Sequence, residues 1–222
     1  FVGSIDRHNW YGSLGHDFED VSQDSVTARL EHDFSENFTL RNQTTYSKTD
    51  RLALLTSLTG TIDATNTVNR SRQSNERINK IFSNQPTANA RFTTAKLEHA
   101  LVGGLDFTSE AQLSPGRTGQ GTAPRADVFN PNPYDPITGY APARTGFYAK
   151  GETDTLGASL FDTVDIGSRW QVSGGLRWEH FQTDYFSNTA LFTNPTNAVT
   201  RADVSDDLLS WKVGLLFKPR PN

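Results

Sequence analysis

The stretch Trp170–His180, WQVSGGLRWEH, decides the fold class because its side chains alternate in polarity. Its even-numbered positions hold Trp, Val, Gly, Leu, Trp and His, whereas its odd-numbered positions hold Gln, Ser, Gly, Arg and Glu. Successive side chains of a β-strand point to opposite faces of the sheet. The stretch therefore predicts a strand with one aromatic, apolar face and one polar face.

Four other segments alternate in the same way, at 25–34, 38–47, 96–107 and 209–218. Helical spacing fits none of them comparably, so the chain is predicted to be all-β. We predict seven antiparallel strands, with Phe1–Ile5 as the end of an eighth. The predicted strands are 25–34, 37–54, 72–94, 96–113, 150–164, 169–186 and 206–218.

The connections between these strands alternate between short and long. Short polar joints at 35–37, 94–95 and 165–168 separate long loops, which are rich in Gly, Pro and Asn, at about 57–71, 114–149 and 187–205. A closed barrel in a membrane has tight turns on one rim and extended loops on the other. The pattern predicts an antiparallel, up-and-down transmembrane β-barrel segment, with about seven or eight strands of a larger barrel.

Aromatic residues beside the short joints fit an interfacial girdle of such a barrel; they are Phe34, Phe38, Phe92 and Trp170. The alternative is a soluble β-sandwich that binds a ligand or a carbohydrate. A sandwich buries its apolar faces against each other and carries loops of comparable length at both ends.

Composition removes several other classes of protein. Among 222 residues, the formal net charge of −4 disfavours a nucleic-acid binder. The absence of Cys excludes disulfides and thiolate metal sites. The longest apolar run, Leu52–Leu55, is far short of the roughly 18 residues of a membrane-spanning helix.

Several of these segments also resemble a known family. They are Thr27–Phe34 (TARLEHDF), Leu40–Thr44 (LRNQT), Leu97–Asp106 (LEHALVGGLD), Ser159–Val164 (SLFDTV) and Ser168–Glu179 (SRWQVSGGLRWE). Together, and in this order, they resemble the barrel of TonB-dependent ferric-siderophore receptors, the catecholate branch in particular.

The resemblance implies a receptor, not an enzyme, in the bacterial cell outer membrane. It implies a 22-strand barrel closed by an N-terminal plug, which takes up ferric siderophores with energy from the TonB system. We expect residues 1–222 to form one partial barrel domain without the plug, contacting TonB only through that missing region. Expected partners are a ferric siderophore as transported ligand, outer-membrane lipid and lipopolysaccharide, with no covalently bound cofactor. A diffusion porin or an outer-membrane enzyme is the alternative among barrels.

The long loop at 114–149 is the best candidate for ligand binding. Its basic residues outnumber its acidic ones, and it is rich in aromatic rings and prolines. Guanidinium groups and aromatic faces suit an anionic, ring-bearing iron chelate. The predicted ligand-binding residues are Arg117, Arg125, Tyr134, Tyr140, Arg144 and Tyr148. No catalytic or metal-ligating residue is predicted.

Three Glu–His pairs and a group of arginines complete the candidates. The pairs are Glu31-His32, Glu98-His99 and Glu179-His180. Adjacent side chains of a strand point to opposite faces, so the Glu and His of one pair cannot bind the same metal ion. We expect Glu in the lumen and His on the outer face. The arginines Arg70, Arg72 and Arg77 form a basic cluster. Two interpretations stay open for it, contact with lipid phosphates and, more commonly for such clusters, a set of charges that is simply solvated.

Overall fold

The computed structural model describes residues 5–188 and 199–219, and nearly all of its regular structure is β-strand. In this part of the chain no helix is long and apolar enough to cross a membrane. The strands are β1 (Phe18–Ser35), β2 (Phe38–Thr59), β3 (Thr67–Thr94), β4 (Leu97–Thr122), β5 (Ala126–Asp127), β6 (Thr138–Ile166), β7 (Trp170–Ser187) and β8 (Thr200–Phe217).

All long strands belong to one antiparallel sheet in the order β1-β2-β3-β4-β6-β7-β8, and the short β5 pairs with β3. Each long strand therefore neighbours the strands that precede and follow it in the chain. Within the described residues the sheet does not close, because β1 and β8 lie at its two edges. The predicted all-β, antiparallel, up-and-down arrangement is confirmed.

The seven predicted strands are all present, but most are longer than predicted. The stretch expected as a loop at 114–149 contains the end of β4 and the start of β6, which pair as far as Thr122 and Thr138. The stretches at 57–71 and 187–205 likewise contain strand residues at both ends. Residues 1–4 of the predicted eighth strand, and residues 189–198, lie outside the described residues.

Glycines explain why the last part of β4, on the side of the long connections and here called its upper part, does not look like a strand in the sequence. The β4–β6 register shifts between Pro115 and Arg117, and again between Thr118 and Gln120. At the second shift Gly119 has a φ of +73°, and a Cβ there would lie 2.0 Å from a backbone oxygen of β6. Only glycine fits this bulge, so the sequence acquires a loop-like composition while the ladder continues.

The sheet has two chemically different faces. The apolar face carries the even-numbered side chains of β1, β2, β3, β6 and β7 and the odd-numbered ones of β4 and β8, as the pairing registers require. The polar face carries the others. On the polar face, Arg177 bonds to Asp106 and Glu179, each at 2.6 Å, as expected for a ladder of charges.

The apolar face carries a band about ten residues tall next to the short turns. Its lower edge is aromatic, with Phe34, Phe38, Phe92, Trp170 and Phe217. A second aromatic row closes its upper edge, with Tyr46, Phe82, Phe107 and Trp178. Above this row the same face becomes charged, at Asp24, Lys48, Lys80, Asp154 and Asp207. This height matches the 9–11 residues with which a β-strand crosses a bilayer.

No second layer of the described residues covers this band. Trp211 is 74% exposed, and Leu176 and Leu209 are also exposed. A β-sandwich would bury these side chains between its two sheets. The sandwich alternative is therefore not supported.

The strands extend far beyond the band on the side of the long connections. Strand β3 has 28 residues. At about 3.3 Å per residue it is roughly 90 Å long, against a band about 25 Å tall in membrane barrels. The upper part of the sheet therefore stands clear of the apolar band and carries the candidate site.

Candidate functional site

Two segments lie over the upper part of β2 and β3. Residues 5–17, here called the covering segment, precede β1, and residues 123–137 connect β4 to β6. The two segments hold each other: Tyr11 Oη donates to the Val128 carbonyl at 2.6 Å, and Leu14 N donates to the Pro133 carbonyl at 2.9 Å. A small apolar cluster lies beneath them, formed by Val68, Ala126 and Val128 with Ile5 and Tyr11 against it.

Arg72 joins the covering segment to the sheet. Its side chain is 0% exposed. It donates to Asp17 Oδ1 at 2.9 Å, Thr56 Oγ1 at 2.8 Å, and the carbonyls of His16 at 3.0 Å and Gln120 at 2.7 Å. These bonds satisfy the buried guanidinium with four partners from three parts of the chain, namely the covering segment, β2 and β4.

Arg70 is buried in the same way, under the connection between β4 and β6. Its Nη2 donates to Asp135 Oδ2 at 2.6 Å, and its Nε donates to the Pro124 carbonyl at 2.7 Å. The burial of Arg70 and Arg72 leaves neither guanidinium free to meet lipid phosphates or to be solvated, so both interpretations are wrong for these two residues. Their roles here are structural.

Of the six predicted ligand-binding residues, the structure brings Arg117 and Arg144 together. They lie opposite each other on β4 and β6, and both donate to the Glu76 carboxylate of β3. Arg117 Nη1 lies 2.5 Å from Oε2, and Arg144 Nε lies 3.0 Å from Oε1. One side chain that is 8% exposed therefore ties three strands together.

These two arginines also set the protonation of Glu76, which lies above the apolar band. The hydrogen bond from Arg144 is the main cause that holds the pKa of Glu76 below its ordinary value; Arg117 adds to it and burial opposes it. A carboxylate with a lowered folded-state pKa stabilises the fold above its unfolded pKa, and this stabilisation is lost as the pH falls through the folded pKa.

We expect Glu76→Gln to loosen the upper sheet by about 1–3 kcal/mol at neutral pH, because two charge-assisted bonds are lost. The wild type should begin to lose the same protection as the pH falls below about 4.3, the ordinary glutamate pKa, and should lose it fully only below the folded-state pKa, whereas the variant should not respond there. Hydrogen exchange of β3, β4 and β6 at pH 7 and pH 3.5 measures both effects. Glu152→Gln, at an exposed pair with Lys150, is the matched control; equal exchange in both variants would contradict the assignment.

The other four predicted residues occupy different surroundings. Tyr140 lies against the buried Arg72, with the guanidinium carbon 5.8 Å from the ring centroid, and against His16 at 5.1 Å. Tyr148 packs against Phe186, with ring centroids 5.3 Å apart. Tyr134 is 76% exposed.

Arg125, in the connection between β4 and β6, lies against the β2–β3 connection. It pairs with Asp63 at 2.9 Å and donates to Thr67 Oγ1 at 2.6 Å. Hydrogen bonds from Thr65 and Thr67 hold the pKa of Asp63 well below its ordinary value. Arg125 is therefore partly exposed and paired with Asp63, whose carboxylate stays ionised at neutral pH.

The Glu–His pairs divide between the two faces as expected. On the polar face, Glu31 pairs with Arg41 at 2.7 Å. On the apolar face, His99 contacts Asp162 at 2.7 Å and His180 contacts Asp207 at 3.2 Å. Among the described residues no group of three or more His, Cys, Asp or Glu side chains could hold a metal ion.

The polar face also carries a groove that the sequence did not reveal. Its volume is about 470 Å³, and it lies on the upper sheet. One row of directly paired residues crosses it from β2 to β7: Thr49, Asn79, Gln112, Gly151 and Tyr185. No motif marks these residues, because each comes from a different strand.

Comparison with known proteins places this sheet in a family. The family described as TonB dependent receptor-like, beta-barrel, matches residues 2–222. The catecholate siderophore receptor Fiu of Escherichia coli strain K12 is 32% identical over 97% of this chain and 31% of its own length. The probable TonB-dependent receptor BfrD of Bordetella pertussis is 26% identical over 98% of this chain and 31% of its own.

Solved structures agree with the sequence relatives. The open form of the ferric-catecholate import receptor Fiu from E. coli K12 superimposes with a TM-score of 0.88 at 31% identity, over 98% of this chain and 36% of that one. The siderophore receptor PiuA from Acinetobacter baumannii gives 0.84 over 97% and 33%, but at 19% identity it shows the fold alone. This chain spans about a third of the length of these relatives.

These matches confirm the resemblance noted from the sequence. The family consists of receptors rather than enzymes. Because its barrel description covers residues 2–222 and the described residues form one up-and-down antiparallel sheet, the chain belongs to the TonB-dependent receptor family, within the β-barrel region.

Proposed function

We propose that this chain forms part of the wall of an outer-membrane receptor that binds ferric siderophores and takes them up in a TonB-dependent way. The observation that carries the proposal is the exposed apolar band between two aromatic rows. Water would oppose the exposure of so much continuous apolar surface, whereas a bilayer stabilises it and aromatic rings favour its two interfaces. Membership of the receptor family supports the transported ligand and the dependence on TonB.

In this proposal outer-membrane lipid contacts the apolar band. Lipopolysaccharide phosphates meet the lysines just above its upper aromatic row. Lys48 and Lys150 are engaged with Asp50 and Glu152, whereas Lys80 has no ion-pair partner in the described part of the chain. Lys80 is therefore the lysine most available to a phosphate group.

The connection between β4 and β6 remains our proposal for chelate capture, with Arg125 and Tyr134 as its accessible members. Tyr134 offers an exposed ring. For Arg117 and Arg144 to bind a chelate they would have to share or leave the Glu76 carboxylate. The plug and the segment that contacts TonB belong to the proposal through the family only.

The test is uptake of radiolabelled iron(III) as its tris-catecholate complex. Cells that lack their own catecholate receptors would express the complete gene product, in strains with and without TonB. We expect uptake only in the strain with TonB, and the protein in the outer-membrane fraction. Uptake that is independent of TonB would indicate a diffusion pore, and failure to bind the complex at all would overturn the proposed ligand class.

A further inference from the structure

A hollow interrupts the apolar face between the two aromatic rows of the band. Its volume is about 570 Å³, and its lining includes the small residues Ala88, Gly103 and Ala158. Ala88 and Gly103 are directly paired, and Ala158 lies directly opposite Leu105, so these positions are neighbours on one face. Larger apolar side chains surround them, among them Leu40, Leu105, Leu160 and Trp178.

The backbone does not require glycine at the bottom of this hollow. The φ of Gly103 is not in the left-handed region, and an added Cβ would come no closer than 3.4 Å, to a methyl carbon of Leu160. A larger side chain would therefore fit and would fill the space. In a bilayer with a hydrocarbon core about 30 Å thick, a space midway across the band lies where the chains of one leaflet end.

An amide without a partner lies at the edge of the hollow. Asn42 is on the apolar face, directly opposite Pro86, which lines the hollow. Its Oδ1 atom is buried, and its side chain makes no hydrogen bond with any residue that the structure describes. A half-turn of the amide exchanges its donor and its acceptor, so either can face an occupant. Polar groups at this depth are costly and usually mark a functional site.

A second polar pair continues upward on the same two strands. Asn84 Nδ2 donates to Thr44 Oγ1 at 2.7 Å, one row above Asn42. Both side chains are on the apolar face, and the next row above them holds the rings of Tyr46 and Phe82. The apolar face of β2 and β3 is therefore polar between the hollow and the upper aromatic row.

A cation lies above these rings. Lys80 is directly opposite Lys48 on the same face, and Lys48 is paired with Asp50. Lys80 is exposed and has no partner for its side chain within residues 5–188 and 199–219. Eight residues separate Lys80 from Ala88, roughly 26 Å along β3. From top to bottom this face presents a cation, aromatic rings, amides and an apolar hollow, which is the order of groups in an anionic lipid.

We infer that this strip, here called the lipid strip and formed by Lys80, Asn84, Asn42 and the hollow, binds one outer-leaflet glycolipid of the lipid A type. The inference rests on the outer-membrane placement in the proposed function. A phosphate of the lipid contacts Lys80, its amide and hydroxyl groups pair with the two asparagines, and the end of one chain fills the hollow.

The asparagines are the reason to choose this class of lipid over a glycerophospholipid. At this depth a glycerophospholipid carries ester groups and bare chains, which accept hydrogen bonds but donate none. It would leave the acceptor of Asn42 unpaired, at the cost of a buried polar atom without a partner. The amide-linked, hydroxylated chains of lipid A carry both donors and acceptors.

The first test compares two lipids on the complete gene product. Native mass spectrometry measures the binding of diphosphorylated, hexa-acylated lipid A and of phosphatidylglycerol. We expect the wild type to bind lipid A roughly fivefold more tightly or better, and Asn42→Leu to lose most of this preference, because the amide pairing is removed. Equal affinity of the wild type for both lipids, or an unchanged preference in Asn42→Leu, would overturn the inference.

The second test fills the hollow. Gly103→Leu should weaken lipid A binding by roughly fivefold, because the chain end loses its packing contacts. The matched control is Gly174→Leu, which adds the same side chain to the apolar face outside the hollow, where an added Cβ meets only a backbone oxygen at 3.8 Å. The control should bind within about twofold of wild type. An equal loss in both variants would contradict a specific place for the chain.

The third test uses charge. Lys80→Gln should weaken binding of both lipids by roughly tenfold at low salt, and the difference from wild type should shrink as salt is added. Lys80 is exposed, so this variant keeps the inference testable if Gly103→Leu impairs barrel assembly, which resistance to heat in detergent would reveal. Wild-type affinity in Lys80→Gln would overturn the inference.

Uptake of labelled iron by the same strains separates this inference from the proposed function. If the wild type is absent from the outer-membrane fraction or takes up no iron, the proposed function fails. If it takes up iron in the presence of TonB but the lipid-strip variants bind lipid A as the wild type does, only the inference fails.

Discussion

Replacing Arg72 with alanine is expected to release the covering segment from the sheet, at a cost of about 3–5 kcal/mol in the local opening free energy. The guanidinium is fully buried, and the substitution removes the cation that pairs with Asp17 and the donor to the carbonyls of His16 and Gln120. Breaking a buried pair costs more than the pair contributes, because an uncompensated charge stays behind. Limited trypsin digestion measures the opening, since Arg7 lies within the covering segment and is exposed.

Arg41→Ala is the matched control for this prediction. Arg41 also pairs with a carboxylate, Glu31, but both side chains are more than two-fifths exposed. Exposed pairs contribute about 0–1 kcal/mol. Cleavage after Arg7 should therefore accelerate in the Arg72 variant only. Equal protection of the covering segment in both variants would show that Arg72 does not hold it.

The second large effect is expected at Gly175, where valine should destabilise the sheet by about 1–3 kcal/mol through overpacking. Gly175 lies directly opposite Phe161 on the polar face. An added Cβ would lie 1.9 Å from a ring carbon of Phe161, so the whole ring must move. An aromatic side chain over a glycine on the neighbouring strand compensates for the glycine's missing side chain.

The adjacent Gly174 gives a control within the same dipeptide, because its added Cβ has open space on the apolar face. Gly174→Val should leave the unfolding midpoint in denaturant nearly unchanged. In a Phe161→Ala background, Gly175→Val should lose most of its effect, as a double-mutant cycle requires for two residues in contact. Persistence of the full effect in that background would place its cause in the backbone.

The sequence predicted the alternating strands because alternation is a local property. The pattern of Trp170–His180 needs only the pleat of one strand, and β7 indeed begins at Trp170. The two faces followed from the same pattern, including the division of each Glu–His pair. The second aromatic row was not identified, because Phe82 and Phe107 meet across β3 and β4.

The candidate site could be predicted only in part, since its contacts join distant parts of the chain. Arg117 and Arg144 were recognised as cations, but their partner Glu76 lies 41 and 68 residues away. The glycines in the upper part of β4 led to the prediction of a loop there, because glycine is common both in β-bulges and in loops. The groove could not be predicted from the sequence. Gly151 and Asn79 are far apart in the chain, and only the strand register places them in one row.

The order of strands in the sheet has a consequence for how such walls can change in evolution. Apart from the pairing of β3 with the short β5, every long strand pairs with the long strands that precede and follow it in the chain, so the loss of one complete hairpin leaves its two flanking strands antiparallel and able to pair with each other. A gain or loss of two strands alters the circumference while the remaining ladders keep their registers. Pore width can therefore vary in steps of one hairpin, without any need to redesign the rest of the wall.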